Sequence, residues 1–298
     1  MLNRLVKGFV VCLLSGFPLF STAWAGEKIS VFVSIVPQKF FVEQIGKDLV
    51  EVQAMVEPGA SPHSYEPKPS QMAAVSKSRI YFATGVTFEK AWLKRISASN
   101  PGMLVVHTDH GIRKLPMAAH YHHGEDKDHH KEHHDPGALD PHIWLSPPLV
   151  KVQARNIATA LQELDPVHHS VYEANYQGFM AELAGLDEEL RNIFADKKGL
   201  GFMVFHPAWG YFAEAYGLKQ LPIEIEGKDP KPAQLKKLID HAREHDIKVV
   251  FVQPQFSSKS AQQVAREIGG QVAFVDPLAL DWLENLREVA AKFRAAVK

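Results

Sequence analysis

The sequence predicts an α/β protein of two lobes, each with a mainly parallel sheet flanked by helices, joined by one long rigid helix. Two observations carry this prediction. Short apolar strands alternate with helical segments in both halves of the 298-residue chain, and about 30 residues without proline separate the halves. Hydrophobic residues make up 46% and charged residues 22%, which excludes a disordered or coiled-coil protein.

The N-terminus has the three-part layout of a secretory signal peptide. Arg4 and Lys7 precede an apolar stretch of about 12 residues, and an Ala-Trp-Ala sequence follows that ends at Ala25. A membrane span needs about 20 apolar residues, so this stretch is too short for one. We expect residues 1–25 to be cleaved after Ala25 and the mature protein, which then contains no cysteine, to be periplasmic.

The N-terminal lobe is predicted to occupy residues 26–165. Strands are predicted at Lys28–Ser34, Val50–Val56, Arg79–Thr84 and Met103–Thr108, and helices at Pro37–Gly46, Pro69–Ser76, Phe88–Ser97 and Leu149–Leu164. The alternation is typical of a parallel sheet with helices on both faces.

A His-rich loop, residues 117–136, interrupts this lobe with a polar segment that has no periodicity. It holds seven histidines: His120, His122, His123, His129, His130, His133 and His134. Acidic residues are interleaved with them, and such a segment binds divalent ions weakly without a fixed fold. Ordering the loop costs about 1–2 kcal/mol per residue, so we expect the tightly bound ion elsewhere.

The connecting helix is predicted over residues 166–197, where apolar residues recur every three or four positions. The C-terminal lobe, residues 198–298, repeats the alternation of the first. Strands are predicted at Gly201–Phe205, Leu221–Ile225, Lys248–Gln253 and Gln271–Val275, and helices at Trp209–Tyr216, Pro232–His245, Ser258–Ile268 and Leu280–Ala296.

Four residues of the types that bind metals lie near the predicted strand ends. His63 is in the loop after the second strand, His206 and Asp276 directly follow strands of the second lobe, and His142 lies between the His-rich loop and the next helix. Ligands bind beyond the carboxyl ends of strands in open α/β sheets. Three imidazoles and one carboxylate suit Zn²⁺, with bonds of about 2.0–2.2 Å. Spacing alone leaves open that each residue has a structural role.

Four segments carry a resemblance to a known family. They are PGASPHSYEPKPSQ (58–71), DPHIWLSP (140–147), FHPAWGYFAEAYG (205–217) and FVDPLA (274–279). Together with the His-rich loop, they resemble the zinc-binding, substrate-capturing subunits of bacterial high-affinity zinc ABC importers, the ZnuA-like metal-binding receptors. The resemblance spans the mature chain and implies that metal is held between two lobes.

The resemblance places the ligand role on His63, His142 and His206, and Asp276 matches the carboxylate position of several relatives. Zinc-binding members often have Glu immediately before the first His. This chain has Pro62 there, which strengthens the case for Asp276 as fourth ligand. Manganese-type members commonly have Glu in place of His206, so His favours zinc.

The expected function is therefore a non-enzymatic receptor that delivers Zn²⁺ to a membrane ABC permease, acting as a monomer. A manganese or iron receptor of the same fold is the first alternative. A secreted zinc hydrolase is another, although the sequence has no H-E-x-x-H motif. A surface adhesin is disfavoured by the unlipidated signal. The formal net charge of −1 gives no basic excess that would indicate a nucleic-acid partner.

Overall fold

The structure is a computed structural model that describes residues 27–117, 139–224 and 229–297. The predicted signal peptide and the seven loop histidines lie outside the described residues. The described residues form two four-stranded parallel sheets flanked by helices, with a long helix between them in the chain. The fold class predicted from the sequence is confirmed.

The first sheet has the strand order β2-β1-β3-β4, with every pair parallel. Its strands are β1 (Ile29–Val33), β2 (Val50–Ala54), β3 (Ile80–Ala83) and β4 (Leu104–His107). The helices of this half are α1 (Val36–Gly46), α2 (Pro69–Val75), α3 (Thr87–Ser99) and α4 (Pro147–Leu164). All four residues of the central strand β3 are buried, as are Val31, Phe32 and Val33 of β1, as expected for a sheet covered on both faces.

The second sheet repeats this topology with the order β6-β5-β7-β8. Its strands are β5 (Gly201–Val204), β6 (Lys219–Pro222), β7 (Val249–Val252) and β8 (Gln271–Phe274). The helices are α6 (Gly210–Tyr216), α7 (Pro232–Glu244), α8 (Lys259–Glu267) and α9 (Trp282–Ala296). Strand β6 begins two residues before its predicted start because Lys219 pairs in register with Gly201.

The long helix α5 (His169–Ile193) has 25 residues, which is about 38 Å at 1.5 Å per residue. It is shorter than predicted because a 3₁₀ turn at Pro166–His168 precedes it and the helix ends before Phe194. Its apolar side chains at Phe179, Leu183 and Leu186 are buried against the rest of the core. Within the described ranges, no helix combines the length and apolarity that crossing a membrane requires.

Aromatic packing joins the two halves of the molecule. Trp282 of α9 meets Phe41 of α1 edge to face, with ring centroids 5.1 Å apart. The indole of Trp144 donates to the carbonyl of Pro277 (2.7 Å), and the indole of Trp282 donates to the carbonyl of Trp144 (2.8 Å). Because these contacts cross between the halves, they fix the strand ends of the two sheets relative to each other.

Candidate metal centre

Three histidines from separate parts of the chain converge where the strand ends of the two sheets face each other. His63 lies in the loop after β2, His206 closely follows β5, and His142 precedes a short 3₁₀ turn before α4. The Nε2 atom of His206 lies 3.0 Å from Nε2 of His63 and 3.2 Å from Nε2 of His142. One ligand atom from each of the three lies within 4.8 Å of the others.

These separations match the ligand shell of a tetrahedral zinc ion. Ligands about 2.0–2.1 Å from Zn²⁺ at tetrahedral angles are about 3.3 Å apart. The two Nε2 separations of 3.0 and 3.2 Å are close to that edge length. A dication between the three imidazoles therefore needs only small movements of the side chains.

The outward-facing Nδ1 atom of each ring has its own hydrogen-bond partner. His142 Nδ1 donates to Asp140 Oδ1 (2.7 Å), and His206 Nδ1 donates to Glu224 Oε1 (2.7 Å). His63 Nδ1 lies 3.1 Å from the hydroxyl of Thr87, the first residue of α3. A proton held on Nδ1 leaves the Nε2 lone pair pointing inward, which is the form of histidine that binds a metal.

The electrostatics of this centre favour neutral imidazoles and a bound cation. Burial, followed by the neighbouring His142 and His206, lowers the pKa of His63 to about 2. Burial also lowers the pKa of His206, although Glu224 opposes the shift. With their Nδ1 protons on Asp140 and Glu224, the Nε2 lone pairs of His142 and His206 face each other at 3.2 Å and repel unless a positive ion lies between them. The arrangement is therefore complementary to a metal ion.

Two buried carboxylates supply the charge that a buried dication requires. Asp140 is 2% exposed and Glu224 is 4% exposed, and each contacts a histidine of the centre. An isolated charge in such a place is costly, so buried charges occur with a partner of opposite sign. With one divalent ion and neutral histidines, the formal charge of the centre is zero.

The position of Asp140 is fixed from several directions. Its Oδ1 also accepts the backbone N–H of His142 (2.9 Å), and its carbonyl accepts the hydroxyl of Tyr211 (2.8 Å). The first residue of α6, Gly210, leaves space for the carboxylate: a Cβ atom at Gly210 would be 2.9 Å from Asp140 Oδ2. The WGY sequence thus supports His142 from the opposite half of the molecule.

His206 is held by its backbone as well as by Glu224. Gln253, just after β7, accepts from the N–H of His206 (3.2 Å) and donates to its carbonyl (2.7 Å). The ring of Phe256 stacks on the imidazole with centroids 4.6 Å apart. These contacts orient the ring before any ion binds.

Asp276 is not part of the histidine group in the structure. Its Oδ1 accepts hydrogen bonds from Gln255 Nε2 (2.8 Å) and from the backbone N–H of Leu278 (2.9 Å). Three of the four predicted ligands are therefore brought together, and the role of Asp276 as fourth ligand stays a prediction.

Sequence reasoning missed two residues that support the centre. Asp140 stands two positions before His142, a spacing that lets one carboxylate bind both the backbone and the ring of that histidine. Thr87 has no such local signal, since it lies 24 residues after His63 and reaches it only through the packing of α3.

Comparisons with known proteins identify the family to which the chain is similar. The model of the ZnuA family, the periplasmic component A of zinc-uptake complexes, matches residues 31–296. The chain is 32% identical over 257 residues to the high-affinity zinc uptake system protein ZnuA of Bacillus subtilis (strain 168). The matched region covers 85% of this chain and 79% of that protein. It is 29% identical over 263 residues to the iron-binding protein YfeA of Yersinia pestis, with coverages of 85% and 79%. A crystal structure of ZnuA is similar with a TM-score of 0.83 at 44% identity, covering 91% of this chain and 99% of that one.

Proposed function

This chain belongs to the ZnuA family of periplasmic metal-binding receptors, and we propose that it captures Zn²⁺ between its two sheets and delivers it to the permease of an ABC importer. The observation that carries the proposal is the convergence of three histidines, with Nε2 of His206 3.0 Å from that of His63 and 3.2 Å from that of His142. Their Nδ1 atoms are held outward, which prepares the inner faces for one ion.

The donor set favours zinc over manganese as the cargo. Three imidazoles suit Zn²⁺, whereas carboxylate and carbonyl oxygens suit Mn²⁺. Iron is the competing cargo, since imidazole also binds Fe²⁺ and one similar protein is named as iron-binding. The fourth position is assigned to Asp276 after rotation of its side chain, with water as the alternative.

Burial favours a carrier over a hydrolase. His142 is 2% exposed and His206 is 5% exposed, so the inner faces of these rings lie away from solvent. A hydrolase needs an accessible coordination position beside a general base. A receptor only needs to enclose the ion and release it to its partner.

The remaining parts of the proposal concern the segments around this centre. Export by residues 1–25 places the receptor in the periplasm, and the His-rich loop 117–136 binds further ions weakly. The lobes are 26–165 and 198–298, joined by the segment 166–197. The protein acts as a monomer and presents its ion to the permease.

Metal competition tests the proposed function. The mature protein is purified without a histidine-affinity step, its metal content is measured, and Zn²⁺ is titrated against Mn²⁺ and Fe²⁺. We expect one tight equivalent of zinc, and at least a tenfold loss of affinity in His206→Ala. His168→Ala, which removes a partly exposed histidine outside the centre, serves as control. Tighter binding of Mn²⁺ or Fe²⁺, or an unchanged zinc affinity in His206→Ala, contradicts the proposal.

A further inference from the structure

A second group of metal-binding side chains lies at the end of α7, outside the centre described above. His241 and Glu244 are in the last turn of α7 and His245 follows directly. One ligand atom from each lies within 4.8 Å of the other two. The two imidazole rings have centroids 4.3 Å apart, with their planes inclined by 52°.

Helix geometry produces this grouping. Residues three and four apart lie on the same face of a helix, one turn above the other. A pair of histidines four residues apart on a helix is the arrangement that holds zinc in H-E-x-x-H proteins. The order here, His-x-x-Glu-His, is that of another class of zinc peptidases. Glu244 and His245 are exposed, which favours a surface chelate over an enclosed catalytic centre.

The electrostatic surroundings also favour a cation. The carbonyl end of a helix carries partial negative charge, and α7 ends at Glu244. Two of the neighbouring cations have anionic partners: Arg243 Nη2 lies 3.4 Å from Glu267 Oε2, and Lys248 Nζ lies 3.1 Å from Asp246 Oδ1. These pairs reduce the repulsion that a metal ion would otherwise meet.

We propose that His241, Glu244 and His245 form a second, solvent-exposed site for a borderline-soft divalent cation such as Zn²⁺. Ligands of one tetrahedral ion are about 3.3 Å apart, so separations within 4.8 Å close by rotation of the exposed Glu244 and His245 side chains toward the half-buried His241. Water completes the coordination. This site does not depend on the proposed function of the interlobe centre. We expect it to bind more weakly than that centre, because Glu244 and His245 are exposed and their side chains must be ordered when the ion binds.

The test uses the full mature chain labelled with ¹⁵N at histidine. One equivalent of Zn²⁺ is added to fill the tight site, and further Zn²⁺ is titrated while imidazole nitrogen resonances are followed by NMR. Because each histidine is resolved separately, binding by the His-rich loop does not mask the signal. We expect the resonances of His241 and His245 to shift together with one common midpoint.

Two variants and a matched control decide whether these residues act as one chelate. His245→Gln should raise the zinc midpoint of His241 at least tenfold, and the nearly isosteric Glu244→Gln should raise the common midpoint several-fold. His110→Gln, which removes an exposed histidine of the first half, should leave it unchanged. A midpoint for His241 that is the same with and without His245 would overturn the proposal. So would the absence of any shift of both resonances up to about 1 mM Zn²⁺.

Discussion

Glu224→Gln isolates the contribution of a carboxylate that lies behind the metal-binding face of His206. The substitution keeps the shape of the side chain and removes its charge. In the parent, Glu224 Oε1 accepts from His206 Nδ1 at 2.7 Å and is shielded from solvent. Without the charge, His206 loses basicity and the buried dication loses one of the negative charges that balance it.

The expected magnitude follows from the position of Glu224 behind a ligand. Loss of a hydrogen-bonded partner of a metal-bound histidine costs about 10–100-fold in affinity. That range corresponds to about 1.4–2.7 kcal/mol of binding free energy. We expect the dissociation constant for Zn²⁺ to rise by this factor, with little change in the number of tight sites.

The assay is a competitive titration against a chromophoric zinc chelator at fixed pH and salt. Asp165→Asn is the matched control, because Asp165 Oδ2 lies 2.7 Å from His168 Nδ1 in a pair of the same type outside the centre. The control should keep the parent affinity. An affinity in Glu224→Gln within twofold of the parent, or an equal loss in Asp165→Asn, refutes the reasoning.

Three further predictions concern acid, the loop and the glycine beside Asp140. Because the pKa of His63 is lowered to about 2 from its ordinary 6.5, the unfolded chain takes up a proton before the folded one. The urea midpoint of the metal-free protein should therefore fall as the pH drops below about 6.5. Dialysis at falling pH should remove metal from exposed histidines before it removes zinc from the tight site. Release of metal in the opposite order would count against the centre. Deletion of Met117–Pro136 should keep the tightly bound zinc ion and remove most of the weakly bound ions seen by calorimetry, because a β-bridge between Pro116 and Leu139 already holds the ends of the loop together. Loss of tight binding from a folded variant would mean that the loop supplies a ligand. Gly210→Ala should weaken zinc binding in the same competitive titration, because the new Cβ would lie 2.9 Å from Asp140 Oδ2; parent affinity would show that Asp140 tolerates displacement.

The sequence could predict the histidines of the centre that lie near the ends of strands. His206 closely follows an apolar strand, and parallel topology sends all strand ends of a sheet to one edge. His63 was located by the same reasoning. The pattern predicts which side chains reach that edge, but not their separations, which depend on how the two sheets pack.

The supporting contacts could not be predicted because they depend on tertiary packing. Thr87 meets His63 through the placement of α3, and Gln253 meets His206 across two neighbouring strands. The orientation of Asp276 toward Gln255 rather than the histidines is likewise a matter of loop conformation. The His241 group has helical spacing within a helix that the sequence predicted, but it does not lie at the carboxyl end of a strand, where ligands of α/β proteins are expected.

The most direct test of the central claim is a crystal structure of the mature protein with one equivalent of Zn²⁺, measured at the zinc absorption edge. We predict one strong anomalous peak about 2.0–2.1 Å from the Nε2 atoms of His63, His142 and His206. The fourth ligand, Asp276 or water, is then seen directly. A strongest peak at any other position, or one bound by fewer than these three histidines, would contradict the assignment of the interlobe centre.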